Sequence, residues 1–249
     1  MPSVARTAFA LFVDVMGLQH DLAPANSRRR ASAGFDLCRE RLETFHRDLD
    51  DVVRRDMAIL PVNVPQPHFV AEFSDSAYIV GVRFASVAIP ALHLMRKALR
   101  HKYPLRGGIG AGSFSHETSG VRTLREQQVW TTSSFLGGAI VTAYQAERSS
   151  TPGLRVLVHP QVMRRNAEPF LNVFTVCLRE DENNVASSHE LRLWRANEVA
   201  AAARRLREFR DGQDLPERAT RHYAAAIDAY DRFRSVQKEL PHVLPALWL

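Results

Sequence analysis

Two aspartates in this chain of 249 residues stand where a carboxylate needs a partner. Asp14 lies within the apolar run ALFVDVMGLQ, and Asp75 lies in the turn sequence EFSDSAY between apolar flanks. A carboxylate beside a buried strand is costly unless something pairs with it. Two carboxylates that converge without a cation repel each other, whereas divalent ions remove that conflict, and hard oxygen ligands favour Mg²⁺ or Mn²⁺. The competing interpretation is that Asp14 caps a turn and that Asp75 is only a turn residue.

The glycine that follows Asp14 adds a link to phosphate chemistry. Gly17 comes directly after the predicted strand, in the sequence VMGL. A glycine in this place lets backbone N–H groups point at phosphate oxygens, as they do at helix N-termini. One glycine is weak evidence, but its position beside the candidate metal ligand makes it relevant.

The elements that must position these residues follow from hydrophobic periodicity. Apolar density predicts a buried strand over 7–16, and apolar residues at spacings of three and four predict a helix over 35–53. The further predictions are a β-hairpin over 68–84, a helix over 86–100, a strand over 103–115 whose glycines allow close backbone approach, and a helix over 135–147. Residues 17–34 are predicted to be a polar loop, and residues 116–134 are polar without a clear pattern.

The rest of the chain predicts closing strands and then a helical tail. Strands are expected over 153–158, 169–178 and 190–196, with a short helix or turn over 159–165. From residue 196 the sequence becomes charged, Ala-rich and helical, so we expect one domain over 1–195 and a helical extension over 196–249. The order of elements predicts an α+β protein with helices packed against a mostly antiparallel sheet.

Composition narrows the class of partner. The formal net charge is +6, which favours anionic partners, although a genome that encodes Arg freely explains it equally well. The tail sequence ARRLREFR is basic, but Leu206 and Phe209 alternate with its charges, so we interpret it as a solvated face of a packing helix and expect no nucleic acid partner. Trp130, Trp194 and Trp248 are expected to be core or interface anchors.

Other function classes lack their motifs. The ten histidines do not include an H-E-x-x-H pattern, which argues against zinc hydrolysis, and GGIGAG does not open a helix as a dinucleotide-binding fingerprint does. The sequence has no apolar run long enough to span a membrane, and its N-terminus has no small-residue cleavage pattern. We therefore expect no membrane partner. Because only Cys38 and Cys177 are present, we expect a reducing, cytoplasmic location.

Five segments resemble the motifs of class III nucleotidyl cyclases, in the order and spacing of that family from about residue 7 to residue 195. FVDVMGL resembles the family's strand and phosphate loop, and FSDSAYIV resembles the hairpin with its second metal aspartate. LRGGIGAG resembles the Arg-Ile-Gly-Ile-His-x-Gly strand, and FLGGAIVTAYQAE resembles the Gly-x-x-Val-Asn-x-Ala-Ala-Arg-x-Glu helix. LRVLVHPQV resembles the strand and turn that follow. The resemblance implies a ferredoxin-like palm domain and a homodimer with its site between two domains.

The resemblance also implies roles for the residues near Asp14. Asp14, Asp75 and the carbonyl of Val15 are expected to hold two Mn²⁺ or Mg²⁺ ions, with both aspartates essential to catalysis. Backbone N–H groups of Met16, Gly17 and Leu18 are expected to bind substrate phosphates. Phe12 lies on the same side of the strand as Asp14 and is expected to approach the substrate.

Several departures from the family pattern concern the base and the transition state. Ala71 replaces the Lys that reads adenine in adenylyl cyclases, and Ser134 stands at the position of the adenine-reading Asp, where we expect it to contact the substrate. Val141 and Gln145 replace the family's transition-state Asn and Arg. Two arginines, Arg106 and Arg148, are candidates for the missing cation, although most such residues are structural.

These departures resemble the pyrimidine cyclases of the bacterial Pycsar anti-phage system. That resemblance implies conversion of UTP to 3′,5′-cyclic UMP and pyrophosphate, with the product acting on a separate effector in antiviral defence. Two alternatives stay open: a cytidylate cyclase that uses CTP, and a catalytically silent module that binds a nucleotide.

Overall fold

The computed structural model describes residues 6–16, 18, 28–58, 66–124, 127–149, 153–165, 175–177, 189–191, 193–194, 196–211 and 217–236. Within these ranges the chain divides into two compact units. The first comprises Met1–Thr151 and Arg155–Arg192, and the second comprises Pro152–Leu154 and Leu193–Leu249. No helix among the described residues is long and apolar enough to cross a membrane.

The first unit is built on a strand–helix–strand–strand–helix–strand sequence. In chain order its elements are β1 Arg6–Val15, α1 Arg28–Asp50, β2 Phe69–Glu72, β3 Ser76–Gly81, α2 Ala85–His101 and β4 Leu105–Leu124. A π-helical turn, Asp51–Asp56, continues α1. The remaining elements are β5 Gln127–Leu136, α3 Gly138–Glu147, β6 Val156–Val158, α4 Pro160–Arg165, β7 Thr175–Cys177 and β8 His189–Leu191.

The strand order of the main sheet is β2-β3-β1-β4-β6-β8-β7. Its first four strands have the ferredoxin-like arrangement, in which the first and third strands of the motif lie side by side in the centre. Every described strand pair is antiparallel except β4 with β6. The predicted α+β class with a mostly antiparallel sheet and packed helices is therefore confirmed.

The two faces of β1 pack against different helices. Leu11 and Val13 are fully buried, and Phe9 packs against Phe84 at the start of α2. The alternate residues Ala10 and Phe12 belong to a cluster with Ala143 of α3. Because side chains alternate along a strand, Asp14 falls on the same face as Phe12, the face that α3 covers.

A stripe of glycines on β4 lets α3 lie directly on the sheet. A Cβ on Gly108 would stand 2.2 Å from the Ala143 carbonyl oxygen, and one on Gly110 would stand 2.2 Å from the Ala143 nitrogen. Such distances are shorter than any ordinary contact, so only glycine fits there. The sequence-based expectation of close backbone approach in LRGGIGAG is confirmed, and the partner is the helix that follows.

One local prediction was wrong, and one stretch without a prediction is strand. Residues 28–34, expected in a loop, form the start of α1. Most of the polar stretch 116–134, which shows no clear pattern in the sequence, is strand, because β4 continues beyond the main sheet and pairs there with β5. Among the described strands β5 pairs only with β4.

The second unit contains two paired helices, α5 Ala196–Asp211 and α6 Glu217–Val236. Leu206 is buried, and Phe209 packs on Tyr223 with ring centroids 5.3 Å apart. Trp194 is buried against Tyr230. The apolar residues within the basic segment therefore form a packing face, as predicted, and Trp194 is a core anchor. Trp130 and Trp248 fall where no side chain is described.

Candidate functional site

Asp14 and Asp75 meet at one end of the central strand. Asp14 pairs in register with Ser76 of β3 on one side and with Arg106 of β4 on the other. Asp75 lies in the two-residue turn between β2 and β3. The Val15 N–H donates to the Asp75 carbonyl oxygen at 2.8 Å, so the two aspartate-bearing segments are joined through the backbone. The structure thus brings the two predicted metal ligands together.

Arg106 is the partner of Asp14 in this chain. Its Nη2 lies 3.7 Å from Asp14 Oδ2. Its Nε makes a close ion pair with Oε1 of Glu147, the last residue of α3, whose side chain is fully buried. Arg148 adds a second cation, with Nε at 3.5 Å from Glu147 Oε2. Carboxylates and guanidinium groups therefore alternate from β1 across β4 to the end of α3.

The cluster holds more negative charge than its arginines neutralise. Burial raises the pKa of the Asp14 carboxyl; Arg106 opposes this shift, and the nearby Asp75 adds to it. Burial also raises the pKa of Glu147, against the opposing effect of Arg106. For both carboxyls the effect of burial on the pKa exceeds the opposing effect of Arg106, and pKa values perturbed in this way accompany functional sites.

A divalent cation fits this charge deficit. Among the described residues, no group of three or more His, Cys, Asp or Glu could hold a metal ion by itself. Mg²⁺ seldom needs such a group, because it binds through one or two carboxylates together with substrate phosphates and water. Asp14 and Asp75 match that requirement when a phosphate ligand supplies the remaining oxygens.

The predicted phosphate-binding segment is partly occupied by backbone pairing. The Met16 N–H donates to the Pro104 carbonyl oxygen at 2.9 Å, so that donor already has an acceptor. Leu18 is buried, and its carbonyl oxygen lies 3.6 Å from Cys38 Sγ. Gly17 lies outside the described residues. The phosphate-binding prediction consequently depends on the N–H groups of Gly17 and Leu18.

Phe12 lies in an aromatic group beside the carboxylates. Its ring centroid is 4.7 Å from that of Tyr78 and 5.5 Å from that of Tyr144. Burial raises the pKa of Tyr78 to about 12, and Tyr144 and Glu147 reinforce the shift, so the phenol stays protonated at neutral pH. Phe12 itself is 7% exposed, and it forms part of the wall of the site.

The two candidate cations differ in accessibility. Arg106 has a side chain 21% exposed and held between two carboxylates. The side chain of Arg148 is 59% exposed, and its guanidinium lies over the Tyr144 ring, 5.3 Å from the centroid. Arg148 is therefore the cation that a substrate can reach, whereas Arg106 is fixed inside the cluster.

The positions expected to contact the base and the transition state lie elsewhere. Ser134 is exposed on β5, opposite Glu117 in the arm, and it makes none of the contacts described for the carboxylate cluster. Val141 is 54% exposed on α3, and Gln145 is also exposed. An apolar side chain at position 141 cannot donate the hydrogen bond of an Asn.

Sequence reasoning gave no role to Glu147, Tyr78 or Tyr144. Glu147 ends the quoted helix motif, but its partner Arg106 becomes visible only when α3 is placed on β4. A fully buried Glu is rare unless it is paired, so burial is the feature that identifies it.

Comparison with solved structures gives a structural likeness to a nucleotide cyclase. The crystal structure of the guanylyl cyclase Cya2 superposes with a TM-score of 0.44 and 12% sequence identity, covering 77% of this chain and 93% of that chain. No known protein family and no curated protein sequence matches the chain.

Proposed function

We propose that this protein is a metal-dependent nucleotidyl cyclase that converts UTP to 3′,5′-cyclic UMP and pyrophosphate. The observation that carries the proposal is the junction of the Asp14 and Asp75 segments at the end of β1, where Val15 donates to the Asp75 carbonyl. The five cyclase-like segments of the sequence agree with this geometry. The choice of a pyrimidine rests on the replacement of the purine-reading Lys and Asp by Ala71 and Ser134.

The reaction is an intramolecular phosphoryl transfer. The ribose 3′-oxygen bonds to the α-phosphorus, the bond from that phosphorus to the bridging oxygen breaks, and pyrophosphate leaves with the electron pair. Asp14, Asp75 and the Val15 carbonyl would hold two Mg²⁺ or Mn²⁺ ions. Such ions, when bound, lower the pKa of a hydroxyl and neutralise charge on the triphosphate.

The remaining roles belong to the arginines and to Glu147. Glu147 holds the Arg106 side chain, so the second guanidinium nitrogen stays beside Asp14. Arg148 is the exposed cation, and its guanidinium would neutralise charge that develops on the transferred phosphoryl group. Gln145 stands at the position where the family has its Arg. The proposal therefore gives the role of the transition-state cation to Arg148.

A homodimer forms part of the proposal. Three apolar side chains on the end of β5 and on α3 are unusually exposed: Leu136 is 69%, Val141 54% and Tyr144 42% accessible. Several large apolar side chains exposed within nine residues of the chain favour an interaction site here. A second copy covering this surface would bring its own residues towards Tyr144 and Arg148, at the edge of the cluster.

A nucleotide-binding module without turnover is the second candidate. The exposed Val141 favours this second candidate, because a valine side chain cannot donate a hydrogen bond to the transition state. In that case a nucleotide would bind with Mn²⁺ and be recovered intact. A cytidylate cyclase would share every residue of the proposed site, and only the base of the product would differ.

The test is direct. The purified protein is incubated with Mn²⁺ and separately with ATP, GTP, CTP or UTP, and the products are identified by mass spectrometry, with Asp14→Ala as the control. Cyclic UMP from wild type alone supports the proposal, and cyclic CMP supports the cytidylate alternative. A cyclic purine would reject pyrimidine specificity. Binding without any product would favour the silent module. If phage infection raises the product in cells that carry the gene, the antiviral role is supported.

A further inference from the structure

A histidine on α1 touches the turn that carries Asp75. His46 Nε2 lies 3.0 Å from the Ser74 carbonyl oxygen, and His46 Nδ1 is in close contact with Glu72 Oε1 on β2. The His46 side chain is 32% exposed, so the contact lies at the edge of the packed core. No sequence motif pointed to this residue.

The direction of these hydrogen bonds follows from the partners. A carbonyl oxygen only accepts, so Nε2 must carry the hydrogen that bonds to Ser74. The close contact between Nδ1 and Glu72 fixes the orientation of the ring. The ring is thus a bridge from helix α1 to the end of β2 and to the turn that follows it. The backbone of α1 is fixed at this position, because the side chain of the neighbouring Phe45 is fully buried.

The turn is otherwise held by few bonds. Phe73 N–H donates to the Ser76 carbonyl at 2.8 Å and closes the turn on itself. The Val15 N–H binds the Asp75 carbonyl from the β1 side. His46 binds the carbonyl of the peptide unit immediately before Asp75. Val15 and His46 thus hold the backbone on both sides of the Asp75 Cα, from which its carboxylate extends.

We propose that His46 is a positioning residue for the metal site, acting through its Nε2–H bond to the Ser74 carbonyl. The inference rests on the proposed function, because it takes Asp75 to be a metal ligand. Groups that orient a metal ligand contribute about 10- to 100-fold to metal affinity. His46 holds the backbone of the ligand rather than its carboxylate, so we expect the lower end, about 10-fold.

Two substitutions separate positioning from packing. The amide nitrogen of His46→Gln reaches the place of Nε2 and retains the donor to Ser74, whereas that of His46→Asn reaches the place of Nδ1 and retains only the contact with Glu72. Both remove the ring. A control is His93→Gln, which loses the Nδ1 position and so breaks a similar pair, His93 Nδ1 to Asp56 Oδ2 at 3.0 Å.

Mn²⁺ alone is titrated into each full-length protein, and the free ion is measured by electron paramagnetic resonance. We expect wild type, His46→Gln and His93→Gln to bind with similar affinity and His46→Asn to bind about 10-fold more weakly. Equal affinities for the Gln and Asn variants, whether strong or weak, would overturn the inference.

Asp75→Asn distinguishes this failure from failure of the proposed function. If Asp75→Asn leaves Mn²⁺ affinity unchanged, the metal site itself is wrong, and the role of His46 is rejected with it. If Asp75→Asn abolishes binding while the two His46 variants do not differ, the metal site stands and only the positioning role is rejected.

Discussion

Substitution of Gly108 by Ala tests how closely α3 must approach the sheet. The new Cβ would lie 2.2 Å from the Ala143 carbonyl oxygen and 2.4 Å from the Glu147 nitrogen, where ordinary contact begins at 3.4 Å. Both of these neighbours are backbone atoms, so no side-chain rotation can relieve the overlap. Helix α3 must move outward by about 1.2 Å, which is the difference between 3.4 Å and 2.2 Å.

This movement has a cost in stability and a cost in activity. Overpacking of this kind costs about 1–3 kcal/mol, and the backbone clash places Gly108→Ala at the upper end, about 3 kcal/mol. For a chain of this size, about 3 kcal/mol lowers the melting temperature by about 6–12 °C. Because α3 carries Glu147 away from Arg106, turnover should fall by about 100-fold, the effect expected of a displacement near 1 Å.

Thermal unfolding followed by circular dichroism and turnover of UTP measure the two effects. Gly138→Ala is the matched control, because a Cβ there would meet nothing closer than 3.7 Å and Gly138 is the first residue of α3. We expect Gly138→Ala to melt at the wild-type temperature or slightly above it. A Gly108→Ala protein that melts within about 2 °C of wild type would refute the packing argument.

Three further predictions concern the cluster and the dimer. Asp14→Asn should abolish turnover and raise the neutral-pH melting temperature of the metal-free protein, since burial raises the pKa of Asp14 and its ionised form costs folding free energy. That cost is absent below 3.8, the pKa of the unfolded Asp14 carboxyl, and it grows as the pH rises through the raised pKa of the folded state. Unfolding measured as a function of pH should therefore show that Asp14→Asn loses its stability advantage over wild type in acid. Arg148→Ala should lower kcat by about 10³-fold in steady-state assays with little change in melting temperature, because its side chain, close to Glu147, is 59% exposed. Val141→Asp should yield an inactive monomer in sedimentation experiments, whereas Val82→Asp, at 55% exposure against 54%, should remain dimeric.

Each of these results can contradict the reasoning. A less stable Asp14→Asn protein at neutral pH would mean that Arg106 already compensates the carboxylate. A Gln145→Ala variant that loses more activity than Arg148→Ala would move the transition-state cation back to the family's position. If Val141→Asp remains a dimer with full activity, the exposed surface on α3 is not the interface.

The sequence by itself determined the order of the elements and the pairing of the two aspartates. The continuous apolar run around Asp14, and the turn between two alternating runs at Asp75, depend on local hydrophobicity alone. In the ferredoxin-like order β1 and β3 are neighbours, so the end of the first strand and the start of the third meet. The glycines at positions 108, 110 and 112 likewise predicted a close approach, because a period of two puts them on one face.

Only the tertiary structure decided what surrounds the aspartates. Arg106 and Glu147 are paired because α3 rests on glycine backbone, a contact between segments that are distant in the chain. The Met16 N–H, expected to bind phosphate, is used by Pro104, since the end of β1 pairs with the segment before β4. His46 reaches Ser74 because the fold brings this part of α1 next to the β2–β3 turn, 28 residues away in the chain. Periodicity reports which face of an element is buried, but the partner of a buried charge depends on the distance between elements, which is set by packing.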